Sequence, residues 1–470
     1  MAGKKNAFYS NSFLIFITRF FPSLVNLAVM VYFSKRLPAE VYGNYNNFWI
    51  HLNVFYPFIF FGLHAFVTTY APGTLLRLLK NIKFNQYLVF AGWGVALSSS
   101  FAMLQSTRLD VSFWVSFLFI LGYAFTFVLE SVIMAMGNFS LLIAVNVAYS
   151  LAYWLIHYSV LKDAASISLV FLLLLITIVL KVLVYIVYVG IKQKSREGDI
   201  EPVSAPEIAK ARSLWFHLGL YDNVQNLSLW IDKFAISLLF TSGVSAVYFN
   251  GSQNIPFIPL LIGAAGNAIL IQLAGGNVSS EKEQTVALMN QSGRVLSCIV
   301  FPVFFFLLAY SHELFAIIFP RYEASVPIFI ASLFILPVRA YNFTTVLQRM
   351  HKGAIINKGA IGEILLAILL MYPLYMWLGL PGLALSFVVS TYLQAAYYVS
   401  QTGKLLQVSA WQLLPVSNWL VKFVVVGAVL FGLHYFVGPH FTGFAALFAG
   451  GGVMMVVMGG SLVVEMRKGK

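Results

Sequence analysis

The chain has 470 residues and a formal net charge of +13; it is 60% hydrophobic and 10% charged, with a mean hydropathy of +0.85. Its apolar residues fall into about fourteen runs, each offering the ~20 residues a bilayer crossing needs, and no stretch between them is large enough for a soluble domain. That excludes most soluble enzyme classes and turns the positive charge from a nucleic-acid signal into one of membrane orientation.

The 43 Phe, 24 Tyr and 9 Trp suit a polytopic helical membrane protein. The apolar runs are continuous, whereas a membrane β-barrel alternates in segments of ~10 residues. A single cysteine, Cys298, leaves no intrachain disulfide and no Cys metal cluster. The fold expected is an all-α polytopic membrane protein with about fourteen transmembrane helices: two six-helix lobes plus two C-terminal helices.

The N-terminus, Met1 to Asn6, is short and basic. The run after it carries Arg19 and Pro22 and has no small-residue cleavage site, so a retained first helix is expected. The predicted spans are 9–33, 45–69, 84–106, 111–136, 139–161, 167–191, 213–239, 246–273, 293–311, 326–348, 357–378, 380–402, 414–436 and 441–465. Basic residues gather on the side of the N-terminus, most densely at Lys192, Lys194, Arg196, Lys210 and Arg212. The opposite side holds Lys35, Arg36, Arg108, Lys162 and Arg321. This bias predicts both termini in the cytoplasm, in agreement with an even number of spans.

The clearest break is the charged, proline-containing segment 192–212. It divides the chain into an N-terminal lobe (1–191), a linker (192–212), a C-terminal lobe (213–404) and two additional helices (405–470). Paired bundles around a midplane site are a recurring transporter plan. The connection 274–292 has room for a short amphipathic segment on the membrane surface.

An ionisable side chain at the bilayer centre costs at least ~2.5–3.5 kcal/mol, so intramembrane charges are candidates for function. In the first span, Ser12, Arg19, Ser23 and Asn26 fall on one face beside Pro22. Arg19 is either a cavity-lining cation for an anionic substrate or an arginine packed against another helix. The seventh span is the most polar. Asp222, Asn226 and Lys233 share a face there, either to serve substrate and a coupling ion or as an internal Asp–Lys pair. Asp232 and Lys233 lie near the span's outer end, where snorkelling is cheap.

The eighth span opens with Asn250, Gly251, Ser252, Gln253, Asn254 and Pro256, an irregular polar start suited to lining a cavity. Arg339 and Asn342 follow Pro337 in the tenth span, an arrangement like that around Arg19. Glu130 and Glu363 are single carboxylates in apolar helices. With Asp222 they are the candidates for H⁺ or Na⁺ coupling, or else partners for Lys181, Arg339 or Lys422. Interhelical pairing is expected for Lys181 and Lys422. His51 and His64 fall on different faces and do not form a metal pair. No catalytic constellation emerges, no motif asks for a cofactor or metal, and no glycine-rich phosphate loop is present. An enzyme is therefore not expected.

Four stretches resemble the polysaccharide flippases (O-antigen and capsule type, Wzx-like) of the multidrug/oligosaccharidyl-lipid/polysaccharide exporter superfamily. They are F-x(5)-R-F-F-P-S-L-V-N-L from Phe13, running on to Arg36–Tyr45; L-W-I-D-K-F-A-I-S at Leu229–Ser237 with Val244–Phe249; H-E-L-F-A-I-I-F-P-R-Y at His312–Tyr322; and L-G-L-P-G-L-A-L-S at Leu378–Ser386. The resemblance implies a V-shaped pair of lobes working by alternating access in a bacterial inner membrane. It implies a polyprenyl-pyrophosphate-linked oligosaccharide as substrate, with membrane lipids and polysaccharide assembly proteins as partners and no nucleic acid. Arg19, Lys233 and Arg339 would then meet the anionic headgroup, with Asn26, Asn226, Asn250 and Gln253 lining the cavity. The eighth span lacks the basic residue by which flippases for peptidoglycan precursor resemble one another, which weakens that reading. A cation-coupled drug exporter of the same superfamily is the alternative. A membrane polymerase or ligase would need a large external loop, and none is expected here.

Overall fold

The computed structural model describes residues 18, 21–69, 78, 83–161, 167–194, 204–253, 282–437, 440, 441 and 443–468. Among them every regular element is a helix. Nine helices and the turn-interrupted stretch Glu323–Ala340 are long and apolar enough to cross a membrane, running from Phe84–Arg108 to Phe444–Glu465. They match ten of the fourteen predicted spans, and the protein is a multi-pass membrane protein. The first and eighth predicted spans lie partly outside the described residues. The second is interrupted, and the seventh is helical but more polar.

The chain forms two compact units, Met1–Ala246 and Val247–Lys470. The first contains α1 (21–36), α2 (Ala39–Phe60), α3 (Leu63–Val67), α4 (Phe84–Arg108), α5 (Phe113–Ala135), α6 (Phe139–Leu161), α7 (Ile167–Lys194) and α8 (Ala205–Leu239). Helix α9 (Ser242–Gly251) crosses the boundary between the units. The second unit continues with α10 (Lys282–Ala309), α11 (Ser311–Ile318), α12 (Val326–Leu333) and α13 (Thr345–Arg349). It ends with α14 (Gly353–Leu378), α15 (Leu380–Leu406), α16 (Ala410–Leu413), α17 (Val416–Val437) and α18 (Phe444–Lys468).

In the first unit α2 is central and packs on α4, α5 and α8. Its Phe48 ring stacks on Phe171, centroids 3.7 Å apart, and meets Phe101 and Phe119 edge to face. All four rings are fully buried. Such a core needs polar groups that are satisfied internally, because lipid offers no partners. His51 provides one case: it bonds Gln105 of α4 (3.0 Å) and Ser237 of α8 (2.9 Å), tying three helices together.

The second predicted span breaks where Phe61 (φ 42°) and Gly62 (φ 70°) adopt left-handed conformations in succession. A bulky residue rarely accepts this geometry. Gly219 of α8 lies so close to the Phe61 backbone and ring that a Cβ there would collide with both. Two helix axes meet at these glycines.

Helix α8 is longer than the predicted seventh span. A capping box starts it at Ser204, whose hydroxyl accepts from Glu207 N while the Glu207 carboxylate accepts from Ser204 N. Its 35 residues extend ~52 Å, so the predicted linker ends inside a helix. Helix α10 likewise runs unbroken from Lys282 into the ninth span. The described part of 274–292 is thus the start of that helix and not a separate surface segment.

In the second unit α14 and α15 form a tight antiparallel hairpin across Gly379 (φ 66°). The tenth predicted span is broken: a 3₁₀ turn at Glu323–Ser325, then α12, then a second 3₁₀ turn at Pro337–Ala340 that carries Arg339, then α13. Pro337 removes an amide donor and prevents a continuous helix. Within the protein, 56% of the α15 spanning window is buried but only 6% of the α18 window. Helix α18 therefore faces lipid, and Phe448 and Val456 on it are exposed accordingly.

Candidate functional site

The first unit holds a ladder of aromatic and polar side chains. Tyr45, Trp49, Asn53 and Tyr56 recur along α2 at steps of four, four and three, which aligns them on one face. Tyr123, Phe127 and Glu130 do the same on α5, and Asn146, Tyr149, Tyr153 and His157 on α6. The rings connect in sequence: His64 to Phe127 (6.3 Å), Phe127 to Tyr56 (4.8 Å), Tyr56 to Tyr123 (5.2 Å), Tyr123 to Trp49 (6.3 Å), Trp49 to Tyr153 (6.1 Å) and Tyr153 to His157 (4.1 Å). Trp49, Asn53, Tyr56, Tyr123, Phe127 and Tyr149 are half-buried.

Polar groups flank this ladder on both sides. At one end the Tyr45 hydroxyl meets Tyr153 (2.8 Å) and His157 Nε2 (2.9 Å), and Tyr153 donates to Asn26 Oδ1 (3.3 Å). In the middle Asn226 donates to the Asn53 carbonyl (2.6 Å). At the other end His64 Nε2 lies 3.3 Å from Asp222 Oδ2. On the third side Lys181 of α7 sits 2.7 Å from Glu130 Oε1 and donates to Asn146 Oδ1 (2.7 Å), with its ammonium 4.7 Å from the Tyr149 ring centre. The pairing expected for Lys181 is present, and its partner is the coupling candidate Glu130.

The predicted face of the seventh span does not act as a unit. Asp222 turns to His64, Asn226 to Asn53, and Lys233 to its neighbour Asp232 (3.3 Å) and the Leu229 carbonyl (3.2 Å). Asp232 and Lys233 are 5% and 6% exposed, so they are buried and do not snorkel. Adjacent opposite charges satisfy each other inside the protein at less cost than either would carry alone.

The predicted residues of the second unit are placed separately. Asn250 is buried near the end of α9, which stops at Gly251, and Gln253 follows a turn and is half-buried. Asn254 and Pro256 lie outside the described residues. Arg339 is half-buried on its 3₁₀ turn and acts electrostatically on Glu363. Glu363 of α14 accepts from Thr391 Oγ1 (2.6 Å) and Gln394 Nε2 (2.7 Å) of α15. Arg19, with Ser12, also lies outside the described residues.

The aromatic steps on α2, α5 and α6 carry a shared-face signal in their spacing alone, with no charge to mark it. A further cluster fastens the C-terminal helices. Lys422 of α17 donates to the Arg294 carbonyl (2.7 Å) and Ser297 Oγ (3.2 Å) of α10 and lies 3.4 Å from Glu465 Oε1 of α18. Among the described residues no group of three metal-binding side chains comes together.

No family model matches the sequence, and no curated protein matches it. Solved structures do match. The lipid II flippase MurJ in an inward closed conformation superposes with a TM-score of 0.66 over 96% of this chain and 97% of that chain, at 13% identity. An inward-facing multidrug resistance MATE family transporter of the MOP superfamily gives 0.55 over 87% and 95%, at 14% identity. A MOP superfamily transporter from Pyrococcus furiosus Vc1, described as having a binding pocket of reverse polarity, gives 0.55 over 89% and 95%, at 12% identity. The chain has the all-helical fold of the MOP superfamily transporters.

Proposed function

We propose that this protein is a flippase that carries polyprenyl-pyrophosphate-linked oligosaccharide units across the cytoplasmic membrane for surface polysaccharide assembly. The observation that carries this reading is the aromatic ladder of the first unit with its rim of amides and hydroxyls. Half-buried Trp and Tyr faces present flat apolar area to sugar rings, while Asn and Tyr groups exchange hydrogen bonds with their hydroxyls. The match to a lipid II flippase over 96% of the chain, against 87% for a multidrug transporter, supports the same direction.

In this reading Arg19, Asn26 and Asn226 of the first unit, and Arg339, Asn250 and Gln253 of the second, are the candidates for substrate contact, the arginines for the pyrophosphate. Lys233, held by Asp232, shapes the helix that carries Asn226. The coupling ion, H⁺ or Na⁺, acts at Glu363 or at the His64–Asp222 pair, and Glu130 serves Lys181. Both termini are cytoplasmic, and polysaccharide assembly proteins are the partners.

The test is the lipid pool of a strain lacking this protein. Single lipid-linked repeat units should accumulate on the cytoplasmic face of the membrane, and Trp49→Ala or Arg19→Ala should not clear them. Accumulation on the outer face would mean translocation is intact and would defeat the proposal. No change in either pool would favour drug export.

A further inference from the structure

We propose that a groove on the second unit binds an anionic diacyl phospholipid of one leaflet, with its phosphate at Lys404 and an acyl chain lying between α15 and α17. This goes beyond the transport reading and does not depend on it. The cavity has a volume of about 1010 Å³. It is at the upper end of the usual range for small-molecule sites. Its body is apolar, lined by Phe301, Phe334 and Phe423 together with the small Ala395 and Ala396. Phe334 and Leu420 on its walls are 43% and 61% exposed, so the groove is open along one side.

One end is chemically different. Lys404, Gln407 and Gln412 line it, and Lys282 donates to the Gln407 carbonyl (2.8 Å), which brings a second ammonium to the same place. No carboxylate is among the lining residues, and Lys404 forms no ion pair among the described residues. Trp411 beside this end is 76% exposed. An exposed Trp next to polar and basic groups marks the depth of lipid headgroups.

The length identifies the occupant. From Tyr392 the groove follows α15 to its end at Leu406, ~21 Å of helix, with Gln407 just beyond. That is half of the ~40–45 Å of a bilayer with its headgroups. A phospholipid of a single leaflet fits this span, whereas a long isoprenoid chain would overrun it. Charge complementarity selects an anionic headgroup, since basic pockets between helices take such lipids. The overall bias of Lys and Arg assigns this end to the cytoplasmic leaflet.

The experiment is a titration of the full chain in detergent with dioleoyl phosphatidylglycerol, read by native mass spectrometry. Phosphatidylethanolamine and a polyprenyl phosphate serve as comparison lipids. Phosphatidylglycerol should bind best. Lys404→Glu should weaken it about tenfold, the loss of one charge-assisted hydrogen bond. Ala396→Trp should block the groove body and remove the tightest site while phosphatidylethanolamine binding stays as it was. Ala396 is exposed, so this variant keeps its fold, and a monodisperse elution profile checks that it does. Equal binding of both phospholipids, or no effect of either substitution, would overturn the proposal. Polyprenyl phosphate binding more tightly and being lost in Ala396→Trp would give the groove to a carrier chain instead.

Discussion

Lys181 Nζ and Glu130 Oε1 stand 2.7 Å apart, joining α7 to α5 inside the first unit. With Asn146 and the Tyr149 ring completing the shell, the ammonium is held on several sides. Removing one charge strands the other. Glu130→Gln or Lys181→Met alone should destabilise the protein by about 3–5 kcal/mol, and the double variant Glu130→Gln/Lys181→Met should recover most of that loss. Thermal unfolding in detergent measures both. Additive losses would show that the two residues do not depend on each other.

Glu363 lies between Thr391 and Gln394, and a glutamine can still accept a hydrogen bond there. Glu363→Gln keeps one acceptor for two donors, so it should cost about 1–3 kcal/mol, less if the Gln394 amide turns over to accept from the new NH2. If Glu363 is where the ion acts, substrate flipping in proteoliposomes should no longer respond to a proton or sodium gradient. A gradient response equal to wild type would remove Glu363 from coupling.

Phe61 and Gly219 are in contact where α2 gives way to α3. Gly219→Leu has no room for its side chain, and relief requires shifting α8 away from the break. Overpacking of this kind costs about 1–3 kcal/mol or more. The variant should lose expression yield and His64–Asp222 contact. Normal unfolding behaviour would mean that the two helices yield easily at this point.

Glu465 is the anchor between α18 and the rest of the second unit. It accepts from Asn418 (3.0 Å) and faces Lys422 (3.4 Å) and Arg294 (3.8 Å). Glu465→Ala should cost about 3 kcal/mol because the poorly exposed Lys422 loses its counter-charge. Limited proteolysis should then cut near α18 before any other described helix. Wild-type resistance would show that lipid-facing contacts alone hold that helix.

Trp49 and Tyr123 stand at the centre of the ladder. Trp49→Ala and Tyr123→Ala should each lower flipping about two- to tenfold, the ~0.5–1.5 kcal/mol that an aromatic contact supplies. Tyr123→Phe should keep most of the activity while Trp49→Phe should keep part. Activity unaffected by both alanine variants would show that the ladder is packing and nothing more.

The apolar runs are enough to establish a multi-pass helical protein. Apolar runs of bilayer length admit no other folded form, because backbone groups in lipid must bond within the segment. The sequence also singled out Lys181 and Lys422 for pairing, because buried ammonium groups need partners. Packing chose the partners, Glu130 for Lys181 and Glu465 for Lys422. Periodicity placed Asp222, Asn226 and Lys233 on one face, but packing gave Asp222 to His64 of α3 and Asn226 to Asn53 of α2, while Lys233 turned to Asp232 and Leu229 of its own helix. The break at Phe61–Gly62 was hidden for the same reason: nothing in a local window shows that Gly219 lies against it. The aromatic ladder was present as spacing on three separate helices, and it became a site when packing brought those faces together.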